Sequence, residues 1–384
     1  MSADKVFDVI VAGVGAMGSA ACWHLARRGK RVLGLERFDV PNAMGSSHGV
    51  NRIIRLAYFE HPSYVPLLRR AYELWRELEH LTNERLLFIT GGVDAGWEGG
   101  RVVAGSLATC REHDLPHEVV TARELAARFP GYQLPDDYLA VLQPDAGFLA
   151  SDRAIVAHAQ LAMDAGAEIR AREPITHWEA TPGGSVRVQT ARGTYEAGRL
   201  ILSTGAWIAD HVPQLSGNAT PERQVLGWFR PRRPDQFRLG QFPVGIVEGE
   251  RLIAYAFPEW GVPGLKIGVF NHLRERGHAE ELSREPNAAD EALLREAVRS
   301  YFPEGDGAVL GLRTCMFTNV PDEHFVLDTL PNFPQVVVAS PCSGHGFKFA
   351  SVIGEILADL TTERSARLNI DLFRLSRLIA DQRR

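Results

Sequence analysis

Gly13, Gly15 and Gly18 form a Gly-x-Gly-x-x-Gly run between the apolar stretch Phe7 to Ala12 and a helical stretch from Ser19 to Arg28. Each glycine meets a different need. Gly13 permits a tight turn, Gly15 lets the backbone approach a pyrophosphate, and Gly18 lets the helix pack close to the strand. The helix N-terminus then faces phosphates with its partial positive charge. Glu36 ends a second strand, Arg31 to Leu35, where a carboxylate can accept hydrogen bonds from an adenosine ribose. Strand, turn, helix, strand and acid together predict a dinucleotide site. The same features also fit a nicotinamide dehydrogenase, a non-catalytic dinucleotide-binding subunit, or a glycine-rich turn in another α/β protein.

Other residues carry chemistry of their own. A second junction of small residues, Ser203-Thr204-Gly205-Ala206-Trp207, follows the buried strand Arg199 to Leu202 and opens a helix. It makes Thr204 and Gly205 candidate cofactor contacts. Lys266 interrupts the apolar run Gly264 to Phe270, where Leu265, Ile267 and Val269 share one face of a strand and Lys266 projects from the other beside Phe270. Such a lysine either snorkels to water or is held in a pocket. Ser343-Gly344-His345-Gly346 precedes a helix with Phe349, Ile353, Ile356, Leu357 and Leu360 on one face. It is an ordinary turn or a set of N–H groups aimed at a ligand. Cys315, by composition alone, reads as a small buried hydrophobe.

Taken with the fingerprint, Gly45-Ser46-Ser47-His48-Gly49-Val50-Asn51-Arg52-Ile53-Ile54-Arg55, Thr314-Cys315-Met316 and Ser343 to Lys348 resemble the monomeric sarcosine oxidase and N-methyltryptophan oxidase family. The resemblance runs to Phe373-Arg374-Leu375-Ser376-Arg377, nearly the whole chain. It implies FAD linked covalently through Cys315, with Met316, Gly344, Gly346, Phe347 and Lys348 also beside the cofactor. The implied reaction is oxidation of an N-methyl amino acid, with O2 as acceptor and formaldehyde and hydrogen peroxide as products. It further implies that Arg52 and His48 flank the flavin ring, that Lys266 activates O2, and that Arg55 and Lys348 hold the substrate carboxylate. That last pair suits the task, a planar guanidinium gripping in two bonds and an ammonium adding a point charge. Tyr255 matches a pocket tyrosine, whereas Phe270 and Phe317 stand where the sarcosine enzymes have a histidine and a tyrosine. The exchange favours a bulkier or more apolar N-methyl amino acid; a cyclic secondary amino acid such as proline or pipecolate is the other candidate.

The elements that must position these residues read as an α/β (α+β) protein of two domains. A discontinuous Rossmann-like FAD-binding domain takes 1–85, 150–215 and 325–384. A substrate domain on a mainly antiparallel sheet takes 86–149 and 216–324. Helices are expected from Tyr64 to Leu81 and Ser151 to Ala165, strands at Glu168 to Arg170, Val186 to Val188, Leu252 to Phe257, Leu265 to Phe270 and Val336 to Ser340, and a polar surface loop from Glu280 to Asp290. The 384 residues, 45% hydrophobic and 23% charged, can build sizeable cores. Lys+Arg 42 against Asp+Glu 47 gives a net charge of −5, which argues against a general nucleic-acid binder. No apolar run spans a membrane, and Met1 to Lys5 lead into a strand without the apolar core of a signal peptide. Four cysteines without metal spacing complete the expectation of a reduced, cytoplasmic monomer without bound metal.

Overall fold

The computed structural model describes residues 6–380, so Met1 to Lys5 and the last four residues lie outside it. Five parallel strands form the centre of the first sheet, in the order Phe333–Ser340, Gly193–Leu202, Val6–Ala12, Val32–Leu35, Glu168–Arg170. Antiparallel strands extend it: Val186–Thr190 pairs with Gly193–Leu202 and with Ile175–Ala180, and Val326–Leu330 pairs with Phe333–Ser340. Two-residue alternation sorts the apolar side chains onto both faces. Val9, Val11, Ile201 and Val337 meet a layer of helices, Ala16–Ala26, Ser151–Asp164 and Ala350–Thr362. Ile10, Ala12, Leu200, Leu202, Val336 and Val338 pack on the opposite side with Val186, Val188 and Leu215. Burial on both faces is what a parallel sheet requires.

The second sheet has eight strands, in the order Val309–Asn319, Thr220–Phe229, Leu265–Val269, Ile253–Phe257, Val244–Glu248, Gly92–Trp97, Tyr138–Gln143, Glu118–Thr121. All neighbours are antiparallel except Val244–Glu248 with Gly92–Trp97. A short third sheet, Asn51–Ile54, Gly147–Ala150 and Leu87–Ile89, carries Arg52.

Two expectations need correction. Glu280 to Asp290 is not all loop, because the helix Ala288–Tyr301 begins inside it. Asn287 and Asp290 form a reciprocal cap there, and Asp290 is fully buried on Arg223, with Nη1–Oδ1 2.7 Å and Nη2–Oδ2 2.6 Å. The polar residues that suggested a loop are the helix start signal. Ser203 to Trp207 opens only a 3-10 turn, Gly205–Trp207, and one helical turn, Ile208–His211, after which Pro213 prevents continuation.

Candidate active site

A cleft of about 1730 Å³, its open mouth included, runs from the ends of the parallel strands to the second sheet. At the first end the chain turns sharply at Gly13, φ +88°, where a Cβ would lie 2.4 Å from the Ser203 carbonyl oxygen. A Cβ on Gly18 would lie 1.8 Å from the Gly13 oxygen, so Gly18 serves helix–strand contact and stays off the cleft wall. Gly15 does line the cleft, and a Cβ there would meet no protein atom. Glu36 accepts from Val14 N (2.8 Å) and Phe38 N (2.9 Å), one bond on each oxygen, leaving lone pairs for a ligand hydroxyl. Burial pushes its pKa up against those two amides and that of Arg37. Thr204 and Gly205 complete this end.

Midway, Arg52 reaches the wall from the third sheet. Its guanidinium donates to Asn51 O (2.9 Å), Ser46 O (3.0 Å) and His48 O. Cys315 and Met316 face the cleft from the strand Val309–Asn319, and Cys315 is 1% exposed. Burial raises the thiol pKa, while Arg52, Lys266 and Arg284 pull it down. His48 lies behind this wall, both ring nitrogens buried and unpartnered, its pKa depressed to about 4 by burial and then by Arg52.

Lys266 also sits behind the wall and is held, not snorkelling. It is 2% exposed, and Nζ donates to Gly49 O (2.8 Å), Asn51 O (2.7 Å) and Asn51 Oδ1 (2.7 Å). Its neighbours are its cross-strand partners, Phe257 with the ring centre 4.2 Å from Nζ, and Trp228 at 5.8 Å. The strand ends at Val269, so Phe270 turns away from Lys266 and packs on Tyr255 (5.1 Å) and Phe317 (6.1 Å) at the cleft wall.

The far end holds Arg55 and Lys348, both buried, and Glu60, whose side chain is 7% exposed. Arg55 Nη2 donates to both Glu60 oxygens (2.9 and 2.7 Å) and Nη1 to Ala57 O (2.6 Å), while Nε is buried without a partner. Burial alone would raise the Glu60 pKa, but Arg55, His345 and Lys348 outweigh it and hold it low. Lys348 Nζ donates to His345 O (2.8 Å), and burial drops its pKa to about 7. His345 is itself fixed, Nδ1 on the Tyr58 hydroxyl (2.5 Å) and Nε2 on Glu323 O (2.9 Å). The carbonyl must accept, so Nε2 carries the proton and Nδ1 accepts from Tyr58. Gly344, Gly346 and Phe347 line the cleft beside them. Sequence reasoning missed Glu60, Tyr58 and Asn51. Glu60, five residues after Arg55, was the available signal of a counter-ion.

The cleft suits a flavin dinucleotide. Gly15 leaves room for phosphates, Glu36 keeps free lone pairs, and the buried Ser46 Oγ, Thr204 Oγ1 and Arg55 Nε on its wall lack protein partners. Among the described residues no His/Cys/Asp/Glu group could hold a metal ion, and no helix is long and apolar enough to cross a membrane.

Comparisons with known proteins agree. The model of the FAD dependent oxidoreductase family matches residues 8–360. Monomeric sarcosine oxidase of Streptomyces avermitilis is 42% identical over 97% of this chain and 98% of its own. N-methyl-L-tryptophan oxidase of Salmonella heidelberg is 35% identical over 97% and 99%. Among solved structures, NikD, an unusual amino acid oxidase essential for nikkomycin biosynthesis, superposes with a TM-score of 0.83 at 27% identity over 96% of this chain and 97% of that one. With most of its length matched and its glycine turn, buried acid and cleft in place, the chain belongs to the FAD dependent oxidoreductase family.

Proposed function

We propose that this protein is an oxidase that converts an N-methyl amino acid, O2 and water to the amino acid, formaldehyde and hydrogen peroxide. The observation that carries the reading is the buried Arg55–Lys348 pair at the far end of the same cleft that begins at Gly13 and Glu36. Bound FAD supplies the two-electron acceptor for the amine and the donor for O2. Arg55 and Lys348 hold the substrate carboxylate, whose burial is otherwise costly, and so orient the N-methyl group. Tyr255, Phe270 and Phe317 exclude water around it and favour an apolar side chain larger than that of sarcosine. No carboxylate or histidine need act as a strong base, because the neutral amine gives up a hydride equivalent. Lys266 keeps a fixed positive charge near the place where O2 gains its first electron. Cys315, buried on the wall amid Arg52, Lys266 and Arg284, is the residue for covalent attachment. The relatives' name supports a monomer, and we place it in the cytoplasm.

Two measurements test this. Acid denaturation of the purified protein is expected to leave the yellow colour on the polypeptide, at a peptide containing Cys315; colour released to the supernatant rejects the attachment. Incubation with N-methyl amino acids of rising side-chain size is expected to yield formaldehyde and peroxide in equal amounts. Turnover of proline or pipecolate without formaldehyde from any N-methyl substrate rejects the demethylation.

A further inference from the structure

Lys266 and Arg52 share one set of acceptors. Between Ser46 and Asn51 the chain aims four carbonyl oxygens at these two cations: Ser46 O and His48 O at Arg52, Gly49 O at Lys266, and Asn51 O at both. Asn51 is 1% exposed and adds its side-chain Oδ1 to Lys266 at 2.7 Å. An ammonium has three N–H donors and a neutral amine two. The three acceptors around Nζ therefore match the charged form. Two are main-chain oxygens that come with the fold, and Asn51 Oδ1 is the one supplied by a side chain. The surroundings oppose the charge and pull the Lys266 pKa well below that of an ordinary lysine. Burial comes first, then Arg52, with Arg313 adding to it from the strand Val309–Asn319, and Phe257 and Trp228 close the apolar sides. On the favourable side is Asp152 at the start of the helix Ser151–Asp164; Cys315 would join it only as a free thiolate, which its burial and its proposed attachment to the flavin both oppose. His48, whose charged form both cations also oppose, is held neutral chiefly by its burial.

We infer that Asn51 is a positioning residue whose amide oxygen keeps the Lys266 ammonium charged and fixed one layer behind Arg52, so that its field reaches the cleft without contact. Lys266 does not line the cleft and Arg52 does. The role in O2 reduction rests on the oxidase reading; the effect on the ammonium does not.

The test follows the Cε signal of Lys266 in protein labelled with 13C-lysine, assigned by its loss in Lys266→Met, from pH 6 to 10. In Asn51→Ala the ionisation is expected to move down by at least one pH unit, and in the isosteric Asn51→Asp to move up. Stopped-flow reoxidation by O2 is expected to slow about tenfold in Asn51→Ala at pH 7.5 and to fall further as pH rises, while anaerobic reduction by substrate keeps its rate. Unchanged Lys266 ionisation in both variants overturns the inference; should Asn51→Ala fail to fold, an unshifted ionisation in Asn51→Asp does so alone. Shifted ionisation with unchanged reoxidation overturns the O2 role of Lys266 and leaves the positioning intact.

Discussion

At the scale of single residues, the far end of the cleft is an electrostatic balance of two cations and one carboxylate. Arg55 already has a partner in Glu60, so an incoming carboxylate competes with Glu60 for the guanidinium and finds Arg55 Nε and Lys348 Nζ as fresh donors. Lys348 is the titrating member, its pKa brought to about 7 by burial, then raised in part by Glu60. Below pH 7 it is an ammonium and attracts the carboxylate; above pH 7 it loses the proton and the attraction. Measured against Lys348→Met, so that deprotonation of the substrate amine cancels, KM for an N-methyl amino acid is therefore expected to rise with pH above 7, by up to about tenfold per unit. Substrate binding restores some of the charge and reduces that slope. Lys348→Met should raise KM at pH 6.5 and raise it much less at pH 8.5, where the wild type has also lost the charge. A variant-to-wild-type KM ratio that stays constant across this range shows that Lys348 does not supply the charge.

At the scale of elements, the wall that carries Cys315 and Met316 is braced from behind. Its strand, Val309–Asn319, pairs with Thr220–Phe229, where Arg223 stands opposite Met316 and Gln224 opposite Cys315. Arg223 is tied to Asp290 in the first turn of Ala288–Tyr301, and Asp290 also accepts from Asn287 N (2.7 Å) and bonds His272 (2.9 Å). Removing one partner of such a pair leaves an uncompensated buried charge, so Asp290→Ala should destabilise by about 3–5 kcal/mol. Urea unfolding with the midpoint shifted and the slope unchanged is the check; a loss under ~1 kcal/mol would mean that water replaces the pair. This brace was not legible in the sequence, where Arg223 and Asp290 are 67 positions apart. Local signals were legible: the glycine turn, the alternation that buries Val9 to Ala12 on two faces, and the helix Val65–Thr82 within a residue of its expected span. Strands such as Gly92–Trp97 and Tyr138–Gln143 escaped because their reason to exist is pairing with distant chain, Val244↔Gly92 for one. Likewise the cleft residues could be named one by one. Only the fold shows that Arg52 lines the cleft while His48 and Lys266 stand behind it.

At the scale of the whole molecule, the helix layer that covers the parallel sheet encloses two histidines that no proposed step of the reaction uses. His24 in Ala16–Ala26 and His158 in Ser151–Asp164 are 4% and 2% exposed, and His158 lies 5.4 Å from the Trp75 ring. Burial comes first for each and lowers the pKa from 6.5 to about 3, helped at His24 by Arg27 and Arg28 and at His158 by His24 whenever that ring is protonated. Between those values the unfolded chain binds protons that the folded one refuses. Stability is thus full above pH 6.5 and is lost as pH falls toward 3, by about 1.4 kcal/mol per unit for each histidine. At pH 4.5 the pair costs roughly 5 kcal/mol, a large share of the 5–15 kcal/mol typical of a folded protein. His48 and His345, both depressed to about 4, add to the trend where the cleft is not filled. Acid should therefore loosen the helix layer before the carboxylate pairs begin to protonate. Denaturant unfolding at pH 7, 5.5 and 4.5 is expected to show this slope, and His158→Gln to reduce it by close to one proton. If wild type and variant lose stability in parallel, the layer is indifferent to His158, and the acid sensitivity of the protein originates in its surface ion pairs.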